Sequence, residues 1–302
     1  MTRLLYTTGS GVFEEDLNYV LPPLGDNEIK VKAVKTGVCR SDIAMMMGKF
    51  GPLPMNMQGH EGLGQVIEVG KKVDKSIVGN YVATRGEPAF ADEYNVRERE
   101  YVVVPGSGAE YILEPVACGV NCIMQPMKQE LLKKFVDPRI CIVGSGFLAK
   151  IIYKTLGILY PHWHNISVLG RANQDYWSNN GIDLQFDFEG EYDIIIDLKD
   201  IPRTFNVDCI KPQGLVIMAS TKQGGIKLDN FLWKAVTMVF PSPRADTFYV
   251  SMVKARDWIH EGLIDMTNFW TRAYDRETEW RKAFEDGKDR PSDYGRGYIE
   301  WR

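Results

Sequence analysis

The segment Ile140-Cys141-Ile142-Val143-Gly144-Ser145-Gly146-Phe147-Leu148-Ala149 narrows the folds open to this chain more than any other stretch. A short apolar, β-branched run enters a glycine turn, and FLAKIIYKTLGIL leaves it with helical spacing. Further apolar runs follow at ISVLGR (166–171), YDIIIDL (192–198) and GLVIMAS (214–220). Such runs, alternating with helices, predict an α/β fold whose parallel sheet is covered on both faces.

The turn itself has the form G-x-G-x-x-A, which predicts a dinucleotide site. Gly144 permits the tight bend, Gly146 lets a pyrophosphate approach the backbone, and Ala149 lets the helix pack closely on its strand. The helix N-terminus offers unpaired N–H groups to phosphate. Gly144, Gly146, Phe147, Leu148 and Ala149 are therefore the candidate cofactor-binding residues of this turn. At the end of the second strand, an acidic residue would bind the adenosine ribose and repel a 2′-phosphate. This chain has Gly170 and Arg171 there. The missing carboxylate and the guanidinium favour NADP(H), with NAD(H) also open.

The first third has a different texture. EIKVKAVKTG (28–37) and GQVIEV (64–69) alternate like half-buried strands, and Gly, Pro and Asn punctuate the intervening loops. Helices are expected over KQELLKKFV (128–136), ended by Asp137-Pro138, and over 248–262, ended by Gly262. EREYVVV (98–104) and the final RGYIEW read as strands.

Composition excludes several classes. A formal net charge of −4 offers no electrostatic footprint for nucleic acid or an anionic membrane. The 5 cysteines are an odd number without a disulfide framework, MTRLLYTTGSGVF lacks a signal-peptide core, and no run reaches bilayer length. A reduced, cytoplasmic protein is expected.

One stretch of the first third stands apart. QGHEGLGQVIEVG (58–70) sets His60 and Glu61 between glycines, and GVCRSD places Cys39 upstream. Thiolate, imidazole and carboxylate are the donors of a tetrahedral zinc site, and a catalytic site keeps one position open.

GVCRSD, GHEGLGQVIEVGKKV, LEPVACGVN and IVGSGFLA, in this order, resemble the zinc-dependent medium-chain dehydrogenase/reductase family, which includes alcohol, polyol and threonine dehydrogenases. The resemblance covers nearly the whole chain. It implies a GroES-like catalytic domain over 1–115, a Rossmann NAD(P)-binding domain over 116–243, and a return to the catalytic domain over 244–302. It also implies that Cys39 and His60 ligate zinc, that Glu61 is a constant or intermittent ligand, and that Glu114 matches the remaining ligand position of polyol-type members. Whether Glu61 or Glu114 persists as a ligand stays open, and Cys118 is a nearby thiol better read as a buried small residue. Ser41 matches the hydroxyl that takes the alcohol proton, so Cys39, Ser41, His60 and Glu61 form the catalytic set. Arg40 matches a position that can approach the cofactor pyrophosphate. Asp42 braces a ligand or caps the following helix.

Three departures qualify what the resemblance implies. Residues 79–101 contain no cysteine, so one catalytic zinc and no structural zinc are expected. Ala44 stands where a relay histidine often follows, and the chain is shorter than typical members. The expected function is interconversion of a secondary alcohol, polyol or sugar-like substrate and its ketone by hydride transfer, with a small-molecule alcohol or ketone as partner. The alternatives are a zinc-free quinone or enone reductase of the same superfamily and a catalytically silent cofactor-binding relative. His162 and His164 read as surface-loop residues, and Met45–Met47 with Trp258, Trp270 and Trp280 as core or cleft wall. The resemblance also implies a homodimer through paired edge strands of the Rossmann sheets, and TMVF (237–240), the matching strand, has no internal charge to discourage that pairing.

Overall fold

The computed structural model describes residues 2–51, 53–199, 207–220, 229–267, 269–292 and 294–301. Two compact units emerge, Met1–Pro115 with Met252–Arg302, and Val116–Ser251. The first opens with an antiparallel hairpin of β1 (Thr2–Tyr6) and β2 (Glu14–Tyr19). It continues through β3 (Glu28–Gly37), α1 (Arg40–Met46), β4 (Gly62–Val69), β5 (Tyr81–Thr84), β6 (Glu93–Arg97) and β7 (Tyr101–Val104). The period-2 pattern explains β3: Ile29, Val31 and Ala33 are buried, whereas Lys30 between them is half-buried and paired with Glu68, and Lys32 is exposed.

Helix α2 (Glu114–Lys128) leads into the second unit. The helix expected over 128–136 does not form there. Helix α2 ends at Lys128, and Glu130 adopts φ 61°, outside helical space. The segment turns instead, with Leu131 N–H donating to the Pro126 carbonyl at 3.0 Å. Its helical spacing still places Leu132 in the core and Leu131 and Phe135 against it.

The second unit then runs β8 (Ile140–Val143), α3 (Phe147–Leu159), β9 (Ile166–Leu169), α4 (Gln174–Asn179), β10 (Leu184–Gln185) and β11 (Tyr192–Asp197). It ends with β12 (Ile210–Met218), α5 (Asp229–Trp233), β13 (Thr237–Val239) and the first part of α6 (Thr247–His260). Its six strands lie in the order β10-β9-β8-β11-β12-β13, and every pairing is parallel. In chain order within this unit that is 3-2-1-4-5-6, the doubly wound arrangement whose strand order reverses between β8 and β11. Ile140, Ile142, Ile194, Ile196, Leu215 and Ile217 share one core cluster, and Cys141, Val143, Ile195 and Val216 share another. Burial on both faces is what turned these strands into continuous apolar runs.

The chain re-enters the first unit through α6, whose end is followed by Gly262 at φ 73°. It adds β14 (Arg272–Asp275), α7 (Trp280–Asp289) and β15 (Gly297–Glu300). The resulting sheet has the order β14-β15-β3-β4-β5-β7, with β6 also pairing β3. Strand β15 runs antiparallel to β3 with Tyr298 opposite Gly37, so the C-terminal segment lies beside the residues leading to Cys39. Phe284 of α7 stacks on Phe13 at 3.7 Å and meets Phe90 edge-on at 5.2 Å, which ties the return segment into this core. Among the described residues, no helix is long and apolar enough to cross a membrane.

Candidate functional site: a metal-ligand cluster and a dinucleotide turn

At the end of β3, backbone bonds set the site. Gly37 N–H donates to the Glu61 carbonyl at 2.9 Å, and Val38 N–H donates to the Gly297 carbonyl at 3.0 Å. Cys39 then caps α1, and the Asp42 carboxylate accepts its N–H at 2.7 Å. That closes a capping box at the helix start, with the carboxylate placed favourably for the helix dipole. Asp42 thus fixes the backbone that carries the Cys39 thiol.

The glycines around His60 and Glu61 are steric necessities. Gly59 has φ 77°, and a Cβ there would lie 2.6 Å from the Phe90 nitrogen. A Cβ on Gly37 would reach Glu61 Oε2 at 2.2 Å. The chain can bring a histidine and a carboxylate against β3 only because these positions carry no side chain.

Cys39, His60 and Glu61 each offer a ligand atom, and these atoms lie within 4.8 Å of one another. Cys39 and His60 are half-buried, and Glu61 is fully buried. His60 Nε2 lies 3.4 Å from Ser41 Oγ, and His60 Nδ1 lies 3.6 Å from Asp42 Oδ1. A carboxylate behind a histidine fixes the tautomer that leaves the far nitrogen free to ligate. Burial lowers the His60 pKa, but Asp42, Cys39 and Glu114 outweigh it and hold the group well above its ordinary value. Burial pushes Asp42 up to about 6, against the pull of His60.

Arg296, just before β15, escaped the sequence reading. It hydrogen-bonds and ion-pairs with Glu61 Oε1. Burial opposes its charge, yet Glu61, Cys39 and Glu114 keep it more firmly protonated than an ordinary arginine. RGYIEW was readable as a strand, but only its register against β3 sets Arg296 beside Glu61. Glu114 is buried at the first position of α2 and acts electrostatically on both His60 and Arg296, although it stands outside the group of three. Cys118 is half-buried on α2, His162 and His164 are exposed, and Trp258 and Trp280 are buried.

The donor set suits zinc. Glu61 Oε2 and Asp42 Oδ1 are buried without a hydrogen-bond partner, a costly state for carboxylate oxygens. A divalent cation held by thiolate, imidazole and carboxylate would offset that cost at Glu61.

In the second unit, Gly144 follows β8 at φ 129°, and a Cβ there would meet the Leu198 Cβ at 3.3 Å. Gly146 is exposed, and a Cβ built on it would find nothing within 4 Å. Open space above a backbone N–H at the start of α3 fits a phosphate. Ala149 is fully buried, whereas Phe147 and Leu148 are half-buried. Gly170 has a second reason to be glycine, because a Cβ there would lie 2.2 Å from Ser145 Oγ. Arg171 is exposed, with its guanidinium 5.9 Å from the Phe186 ring centroid.

Residues 25–122 match the alcohol dehydrogenase GroES-like domain. D-Arabitol-phosphate dehydrogenase of Enterococcus avium is 29% identical over 159 residues, which cover 42% of this chain and 44% of that protein. The chain thus spans less than half the length of this curated relative. Two solved structures share the fold across essentially the whole chain. S. aureus TarJ in complex with NADPH has a TM-score of 0.78 at 18% identity, covering 100% of both chains. An alcohol dehydrogenase from E. coli CFT073 complexed with NADH has a TM-score of 0.80 at 16% identity, covering 99% of both. The GroES-like match over residues 25–122 and the likeness to a polyol-phosphate dehydrogenase make the chain similar to alcohol and polyol dehydrogenases, and its second unit shares the 3-2-1-4-5-6 strand order of doubly wound dinucleotide-binding sheets.

Proposed function

We propose that the protein is a zinc-dependent, NAD(P)-linked oxidoreductase that interconverts a secondary alcohol, polyol or sugar-like substrate and its ketone. The observation that carries this reading is the convergence of Cys39, His60 and Glu61 within 4.8 Å. Retention of this donor set argues against a zinc-free reductase. The likeness to an arabitol-phosphate dehydrogenase supports polyol-type substrates.

Cys39, His60 and either Glu61 or Glu114 would hold the metal, which supplies Lewis acidity toward the substrate oxygen while the nicotinamide exchanges hydride. Asp42 orients His60 from behind through Nδ1 and fixes the Cys39 backbone. Arg296 engages Glu61 Oε1, leaving Oε2 for another partner. Ser41 Oγ receives the proton of the substrate hydroxyl. Ala44 has no titratable group to pass that proton along, so the proton would leave Ser41 by a route that does not use position 44. Arg40 is exposed at the start of α1. Gly144 to Ala149 bind the pyrophosphate, and Gly170 with Arg171 favour NADP(H).

Purified protein is therefore expected to contain about one zinc per chain. It should convert at least one member of a panel of alcohols, polyols, polyol phosphates and ketones, followed at the nicotinamide absorbance. A metal-free protein that still turns over quinones or enones would replace this reading with the zinc-free one. No turnover beside intact cofactor binding would favour the silent relative.

Assembly follows from the edge of the second sheet. Strand β13 ends the strand order, and the nearby Leu232, Trp233 and Phe240 are 76%, 84% and 58% exposed. An uncharged edge strand flanked by exposed apolar side chains favours pairing with a second copy. Light scattering should give a dimer mass, and Phe240→Lys should shift it toward monomer by placing a charge beside the edge strand. A monomeric mass for the unmodified protein contradicts this assembly.

A further inference from the structure

The residue between the two glycines of the turn is held unusually firmly. Ser145 is buried, and its carbonyl accepts two side-chain donors, Asn173 Nδ2 at 2.9 Å and Trp177 Nε1 at 3.1 Å. Its hydroxyl accepts the Ala172 N–H at 3.1 Å. All three donors come from the segment that follows β9, where the adenosine ribose would be read.

Asn173 shows that this arrangement has a cost. It is the N-cap of α4, a position where asparagine ordinarily bonds the helix's own N–H groups. Here its side chain makes no cap bond, and its backbone sits at φ 60° instead of the usual extended form. The side chain is turned to Ser145 instead. Trp177 is fully buried, so its indole N–H needs an acceptor, and Ser145 provides it.

A trans peptide is planar, with its C=O and the following N–H pointing in opposite directions. Holding the Ser145 carbonyl toward Asn173 and Trp177 therefore turns the Gly146 N–H the other way. That donor stands on an exposed glycine whose missing Cβ leaves open space, at the N-terminus of α3. We infer that Asn173 and Trp177 are positioning residues that clamp the Ser145 carbonyl and so aim the Gly146 N–H at the dinucleotide pyrophosphate. The inference rests on the dinucleotide reading given under Proposed function. It adds that the ribose-reading segment and the pyrophosphate turn act as one preorganised piece.

Asn173→Gly tests this cleanly, because glycine keeps the left-handed backbone and removes only the side-chain donor. Trp177→Phe removes the indole N–H while filling most of the same space. NADPH and NADH are titrated by nicotinamide fluorescence, and adenosine 2′-monophosphate, which has the ribose phosphate but no pyrophosphate, is titrated by calorimetry. Each variant is expected to weaken both dinucleotides about 3- to 10-fold, the value of one hydrogen bond. Adenosine 2′-monophosphate should bind as before, and for Asn173→Gly the melting temperature of the cofactor-free protein should hold. Dinucleotide affinities unchanged in Asn173→Gly, or adenosine 2′-monophosphate weakened in step with them, would overturn the clamp. Failure of the unmodified protein to bind either dinucleotide would overturn the reading beneath it.

Discussion

Cys39→Ser and His60→Ala should each strip the protein of zinc and of turnover while leaving cofactor binding intact. Cys39, His60 and a carboxylate form the smallest set that can hold the metal, and serine is a far weaker ligand than thiolate. Asp42→Asn gives the graded control. It keeps the side-chain size and cap geometry but removes the charge behind His60, so metal affinity should fall about 10- to 100-fold rather than vanish. Elemental analysis, zinc titration and NADPH fluorescence separate these effects, because Gly144 to Ala149 lie in the other compact unit. Full zinc content in either ligand variant would remove Cys39 and His60 from the metal site.

Cofactor choice gives the second large effect, and the structure changes how it must be tested. Arg171, if paired with a 2′-phosphate, would contribute about 1.5–3 kcal/mol, or roughly ten- to a hundredfold preference for NADP(H) over NAD(H). Arg171→Ala should remove that preference and leave NAD(H) nearly unchanged. From charge alone, Gly170→Asp should invert the preference, because a carboxylate would repel the phosphate and accept from the ribose. Yet a Cβ at position 170 falls 2.4 Å from the Ser145 Cβ and 2.2 Å from its Oγ. The single variant should therefore disturb the turn and weaken both cofactors. Combined with Ser145→Gly, the same aspartate should bind NADH more tightly than NADPH. A single Gly170→Asp variant that binds NADH at full strength would show that the turn yields easily. Equal affinity of the unmodified protein for NADH and NADPH would mean that Arg171 points elsewhere.

The sequence by itself determined the parts whose physics is local. Continuous apolar runs at 140–143, 192–198 and 214–220 declare strands buried on both faces, because a half-exposed strand would alternate. Gly144 and Gly146 declare a turn that a Cβ would spoil or a ligand must approach. The period-2 rhythm of β3 is equally plain. Cys39, His60 and Glu61 stood out as candidate metal donors, the last two on a glycine-flanked turn, and the family resemblance implied that they share one site.

Only the tertiary structure decided what depends on register and on contacts distant in sequence. The pairing of Tyr298 with Gly37 brings Arg296 to Glu61 across most of the chain, and no local pattern around Arg296 encodes that meeting. KQELLKKFV has helical spacing, but the left-handed Glu130 turns it while its leucines still reach the core. Gly170 was legible as a missing carboxylate but not as the close neighbour of Ser145. Asn173 and Trp177 carried no signal at all, because a side chain's choice between its own helix and a carbonyl 28 residues away is made by packing. Sequence periodicity reports which face of an element is buried; which partner it meets there is set by the three-dimensional arrangement of the elements.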